Sequence, residues 1–337
     1  MSAVASPRWF PQRYDAASDS VLLIERSEAD FRAAAFLDER SLAPQTANHV
    51  VPWTTVAGAV PANARRDLQY IFHIGHVGST LISRLLGELP EVLALREPQI
   101  LRDFAACLAE GFWERASIPA RLDVLTSLLS RTFRPEQRAM AKATSFVSEI
   151  AADLVPAGSR ALLLCASPEH YIANILGGPN SRQEIAATAA DRLDRLHRRV
   201  GERRWRVAGL SEGENVAMAW ACEMSSLVRA AELLGDQRMM WLDFDAFLVE
   251  PEVWLRRLAV FFGLDTGATE ALAAHPLMGR YSKAPEYEYG AALREAVLAE
   301  ARREHGPAMA EGLLWLERTA GESETVARCL DAAAAAG

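Results

Sequence analysis

The stretch Gly75-His76-Val77-Gly78-Ser79-Thr80 is where this chain is best equipped for chemistry. Two glycines let the backbone approach a ligand closely, and a turn leading into a helix points unpaired N–H groups outward. Such a turn binds anions, phosphate above all, and the Ser79 and Thr80 hydroxyls add side-chain donors. Without a ligand, the same residues would make a tight strand-to-helix turn and nothing more. A Walker-type ATP or GTP loop requires G-x-x-x-x-G-K-[ST], with lysine directly after the second glycine. With Gly78 in that place, Ser79 occupies the lysine position and His73 the first glycine position. Both requirements fail, which disfavours an ordinary nucleotide hydrolase.

The elements around the loop must hold it in place. Tyr70–Ile74 is an apolar run of the kind that forms a buried parallel strand, and Leu81, Ile82, Leu85 and Leu86 recur at helical spacing. From Asp67 onward, strand-like runs alternate with longer helical patterns. The strand candidates are Tyr70–Ile74, Val92–Leu95, Ala139–Lys142, Ala161–Cys165 and Met239–Leu242. That alternation predicts an α/β, three-layer sandwich with a central parallel sheet covered on both faces. Residues 67–337 read as one such domain. Residues 1–66 read as an appended, largely helical segment, with a strand at Val21–Ile24 and a helix over Glu28–Leu37 capped by Ser27. No chemistry is legible there beyond a lid or docking surface. The basic run Arg199–Arg206 reads as a solvated helix end, and the terminal Ala332–Gly337 is expected to fray.

Composition narrows the classes. In 337 residues, half are hydrophobic and 24% charged, the balance of an ordinary globular enzyme, and the net charge of −8 argues against a nucleic-acid partner. The four cysteines, Cys107, Cys165, Cys222 and Cys329, are scattered without a metal-binding or disulfide pattern. No signal-like core and no membrane-length apolar run occurs, so a cytoplasmic protein without a membrane span is expected.

The loop resembles the 5′-phosphosulfate loop of the sulfotransferase superfamily, x-[KR]-x-G-[ST]-[ST], with His76 where that family places Lys or Arg. The late stretch Met240–Leu264, ending Phe261-Phe262-Gly263-Leu264, is similar to the family's late strand, acidic turn and helix, with Asp243 and Asp245 as caps. The resemblance implies a P-loop fold of sulfotransferase type. It also implies 3′-phosphoadenosine 5′-phosphosulfate as co-substrate, no metal, and a hydroxyl acceptor that is a small molecule, a carbohydrate or a peptide. Gly75, His76, Val77, Gly78, Ser79 and Thr80 would bind the phosphosulfate. Glu97, nineteen residues after Gly78, looks like the catalytic base of the tyrosylprotein branch, and an acid suits removal of the acceptor's proton. Glu97 beside Pro98 also suits a helix start. Lys142 resembles the residue that neutralises the transferred group, and His76 would share that task.

The chain departs from the family where an arginine usually holds the 3′-phosphate. There it reads Ala166-Ser-Pro-Glu-His-Tyr-Ile-Ala-Asn174, leaving Asn174 as a single donor. Arg280 and Lys283 are the replacement candidates, with Arg182 behind them. His73 reads as a core histidine, and His170 and His275 are given no role. Two other readings stay open. A kinase or hydrolase with a degenerate loop would use Thr80 and Asp243 as magnesium ligands; a non-catalytic sulfotransferase-like protein would bind no nucleotide tightly.

Overall fold

The computed structural model describes residues 3–42, 45–280 and 290–337. The chain opens with β1 (Trp9–Asp15), β2 (Ser20–Glu25), α1 (Glu28–Ala33), β3 (Asn48–Pro52) and α2 (Trp53–Ala59). It continues through β4 (Gln69–His73), α3 (Ser79–Leu86), β5 (Val92–Arg96), α4 (Gln99–Ala109), α5 (Ile118–Leu129) and β6 (Arg138–Lys142). There follow α6 (Ala151–Leu154), β7 (Ala161–Cys165), α7 (Pro168–Leu176), α8 (Pro179–Val200), α9 (Glu212–Leu234) and β8 (Met239–Asp243). Helices α10 (Phe244–Val249), α11 (Pro251–Phe262), α12 (Thr269–Ala273), α13 (Ala291–Glu322) and α14 (Glu324–Ala335) complete it.

The five later strands form one parallel sheet in the order β5-β6-β4-β7-β8. Every residue of β4, β5 and β7 is buried, so helices cover both faces, as the unbroken apolar runs require. The chain leaves β4 toward one edge and returns after β6 to the other side of β4. A crevice therefore opens at the C-terminal end of β4, where ligands bind in open α/β sheets.

The N-terminal segment is not the helical addition expected from sequence. Its frame is an antiparallel sheet in the order β1-β2-β3. β1 was hidden by Pro11, Gln12 and Arg13, which interrupt alternation; a register shift falls between Pro11 and Arg13, and Gln12 is buried with Nε2 donating to the Leu37 carbonyl. β3 is an exposed edge strand with no apolar run to betray it. The segment is seated on the larger sheet. Leu37 N–H donates to Arg96 O (2.6 Å), Gln99 N–H donates to Leu37 O (3.1 Å), and the Arg96 guanidinium takes the Phe31, Arg32 and Ala34 carbonyls at the end of α1. Residues 36–42 are thereby pinned beside the end of β5.

The C-terminal end also differs from expectation. Val326, Cys329, Ala333 and Ala336 are buried at helical spacing, and Asp243 N–H donates to Ala336 O at 3.0 Å. Alanine's small side chain lets this helix lie close to the sheet edge, so the tail packs instead of fraying.

Candidate active site

Gly75, His76 and Gly78 have φ of +87°, +55° and +66°. Successive left-handed residues curl the backbone into a concavity, and Gly78 N-caps α3 with no side chain to satisfy the first-turn N–H groups. Only glycine fits at residue 78, because a Cβ there would lie 2.0 Å from the Phe244 ring. His76 adopts a conformation unusual for an L-residue and is held in it from three sides. Asn174 Nδ2 donates to its carbonyl (3.1 Å), while its ring nitrogens meet Ser181 Oγ (3.3 Å) and Glu184 Oε2 (3.1 Å). The hydrogen bond from His76 is the main reason that the Glu184 carboxyl sits at about 2. His76 is thus turned toward α8.

Parallel register brings the next group together. β6 lies between β4 and β5, with Lys142 opposite both Ile71 and Arg96. Glu97, one residue past Arg96, has φ of +55° and donates its N–H to Lys142 O at 2.7 Å. Lys142 is 1% exposed; its Nζ donates to Glu97 Oε1 and to Thr80 Oγ1 (3.4 Å). Glu97 Oε2 accepts from Arg40 Nη2 at 3.4 Å. The Arg40 guanidinium is forked onto Asp38 and lies 3.6 Å above the Phe36 ring. Glu97 is thus a carboxylate with one cation on each oxygen, set against the first turn of α3.

Loop, Glu97, Lys142, Asn174 and Arg280 all line one cavity of about 800 Å³, a size suited to a nucleotide and part of a second molecule. Lys283 lies outside the described residues. Seven arginines and lysines line the cavity against four carboxylates, a cationic surplus in a chain of net charge −8. Sequence reasoning missed Arg40, Arg192, Arg195, Glu223 and Arg294. Arg294, on α13, pairs with Asp245 (2.5 and 3.1 Å), and Asp245 also meets His170 Nδ1 at 2.9 Å. Burial pushes the Asp245 carboxyl up, but the hydrogen bonds from His170 and Arg294 outweigh it and hold it well below the usual range; the same Asp245 contact raises His170.

Several residues weighed in the sequence lie elsewhere. Asp243 does not line the cavity; its Oδ1 caps α10 by accepting from Asp245 N–H (2.7 Å) and Ala246 N–H (3.0 Å). Asp245 does not cap; it is the partner of Arg294 and His170. Ala166 is buried, with its carbonyl accepting from Trp220 Nε1 at 3.1 Å. Arg182 pairs with Glu212 (3.6 Å) away from the cavity. Of the basic run only Arg199 departs from a solvated helix end: it is half-buried, with its guanidinium on Glu149, Cys222 O and Ser225, while Arg203, Arg204 and Arg206 are exposed. Among the described residues, no group of three or more His, Cys, Asp and Glu is placed to hold a metal ion, and no helix is long and apolar enough to cross a membrane.

No family model matches the chain, and no curated protein matches it. Among solved structures, it is similar to the sulfotransferase domain from the curacin biosynthetic pathway, at 13% identity over 67% of this chain and 81% of that one, with a TM-score of 0.39. It is also similar to sulfotransferase STF9 from Mycobacterium avium, at 15% identity over 74% of this chain and 78% of that one, with a TM-score of 0.38.

Proposed function

We propose that this protein transfers a sulfuryl group from 3′-phosphoadenosine 5′-phosphosulfate to a hydroxyl acceptor, with Glu97 as the base. The observation that carries this reading is the Glu97–Lys142–Thr80 contact at the lip of the anion-binding loop. The first-turn N–H groups of α3 and the Ser79 and Thr80 hydroxyls would hold the 5′-phosphosulfate. A carboxylate has about four lone-pair sites, so Glu97 retains acceptor capacity beyond Lys142 and Arg40. Glu97 takes the proton of the attacking hydroxyl as the new S–O bond forms. Lys142 would neutralise the charge that collects on the bridging oxygen as its bond to sulfur breaks. Arg280 lines the cavity and would supply the charge that Ala166 cannot give to the 3′-phosphate.

A calorimetric titration with 3′-phosphoadenosine 5′-phosphate, and with ATP with and without magnesium, tests the ligand. Radiolabelled phosphosulfate turnover tests the chemistry. Glu97→Gln is expected to lower turnover by about 10²- to 10⁴-fold, the usual worth of a positioned base, with nucleotide affinity retained. Full activity in that variant rules out the base assignment. Magnesium-dependent ATP binding would favour phosphoryl chemistry, although Asp243, engaged in a helix cap outside the cavity, is poorly placed to join Thr80 on a metal.

A further inference from the structure

Sulfuryl transfer as proposed leaves one wall of the cavity unused. Along α8, Glu184, Thr188, Asp191, Arg192 and Arg195 recur at helical spacing and all line it, so one polar face of that helix is turned inward. Glu223 of α9 joins them and is wholly buried. Its Oε1 accepts from Arg192 Nε at 3.1 Å and Arg195 Nη2 at 2.9 Å, whereas Oε2 has no hydrogen-bond partner. Burial pushes this carboxyl up, but Arg195 and Arg192 outweigh that effect and keep it charged. Glu223 lines the cavity, and an unpartnered buried carboxylate oxygen on such a residue calls for a donor.

The surroundings say what kind of donor. The two guanidiniums are already matched. Arg192 also meets Glu184 at 3.5 Å, and Arg195 also meets Asp191 at 3.1 Å and Glu149 at 3.4 Å. An anion would find Glu149, Glu184, Asp191 and Glu223 around those cations, so the wall does not suit a second phosphate. It does suit hydroxyls, which can donate to carboxylates and accept from guanidiniums. Phe146 joins this wall to the reacting end. Its ring lies 5.4 Å from the Arg195 guanidinium, in the turn that follows Lys142 on the chain.

Resting on the sulfuryl-transfer reading, we propose that this wall is the acceptor subsite and that the acceptor is a polyol of carbohydrate chemistry. One of its hydroxyls donates to Glu223 Oε2 while another is presented to Glu97. An apolar alcohol would leave Oε2 bare, and sites built to hydrogen-bond a substrate reject analogues that lack the group.

The test compares two acceptors on the unmodified protein with radiolabelled phosphosulfate: methyl α-D-glucopyranoside and cyclohexylmethanol. Both carry a primary hydroxyl on a six-membered ring, and only the first carries ring hydroxyls. The glucoside is expected to be favoured in kcat/KM by at least about 100-fold. Glu223→Gln should then raise the glucoside KM by about tenfold or more, with 3′-phosphoadenosine 5′-phosphate affinity unchanged. Equal use of the two acceptors overturns the proposal, as does a Glu223 variant that weakens the nucleotide instead. The acceptor comparison needs no variant to fold. Failure of the nucleotide to bind the unmodified protein would overturn the sulfuryl-transfer reading itself, and the subsite with it.

Discussion

Replacing Gly78 by alanine should be far more damaging than replacing Gly75, although both glycines have positive φ. The left-handed backbone costs an alanine about 1–2 kcal/mol at either position. At Gly75 (φ +87°) that is the whole effect, because the nearest atom to a new Cβ is Ser145 Oγ at 3.7 Å, an ordinary contact. At Gly78 (φ +66°) the Cβ would lie 2.0, 2.1 and 2.5 Å from three atoms of the Phe244 ring. Phe244 is 3% exposed, so the ring has little room to withdraw. Overpacking of this kind adds about 1–3 kcal/mol, giving a total of about 2–5 kcal/mol for Gly78→Ala. Urea denaturation of the two variants measures the difference. A double-mutant cycle isolates its cause. Phe244→Ala alone should cost about 3–5 kcal/mol, as truncations of buried aromatics do. In the Phe244→Ala background, however, Gly78→Ala should lose its overlap and cost only the backbone part. Equal midpoints for Gly75→Ala and Gly78→Ala, or additivity across the cycle, would refute the claim that Phe244 sets the shape of the loop.

Two further outcomes follow from the site. Arg40→Met should lower turnover by about two- to fivefold without changing nucleotide affinity, because a half-exposed ion pair contributes about 1 kcal/mol or less. Arg40→Lys should not restore the rate, since the fork onto Asp38 and the stacking on Phe36 require a planar guanidinium; kinetics at saturating nucleotide decide both. The His170–Asp245–Arg294 cluster should give a stability optimum in mildly acidic solution. Asp245 is depressed, so its contribution is present above the ordinary aspartate value and is lost as pH falls through its lowered native value. His170 is raised, so its contribution is complete below the ordinary histidine value and is lost as pH rises through its elevated one. Denaturation midpoints across pH should therefore decline on the alkaline side, and His170→Gln should flatten that decline. A decline that survives the substitution assigns it to another group.

The parallel sheet was legible because β4, β5 and β7 are buried throughout and β6 and β8 largely so, which leaves short, mostly apolar runs in the sequence. Ala161–Cys165 keeps both predicted bounds, and the other four strands agree to within a residue or so. The N-terminal sheet obeys different physics. β1 carries Pro11, Gln12 and Arg13, whose fit depends on partners distant in sequence, such as Leu37 for Gln12. β3 is mostly exposed, so burial left no mark on it. Periodicity records which faces are buried, and an edge strand in a small antiparallel sheet has little buried face to record.

For the site, the limit was of another kind. Gly75–Thr80 could be read locally because anion capture by a turn is a property of contiguous backbone. Glu97 and Lys142 came only through resemblance, and the parallel register is what makes them neighbours across forty-five residues. Nothing in the sequence pointed to Arg40, because its value depends on Leu37 clamping to Arg96 and Gln99 at the end of β5. Arg192, Arg195 and Glu223 look like ordinary surface charges on long helices until α8 and α9 pack together and bury them. A charged residue inside an amphipathic helix is read as solvated by default. Here one inward face of α8 is polar because what it meets is a cavity, and the side chains that blur the helical periodicity are the ones that line it.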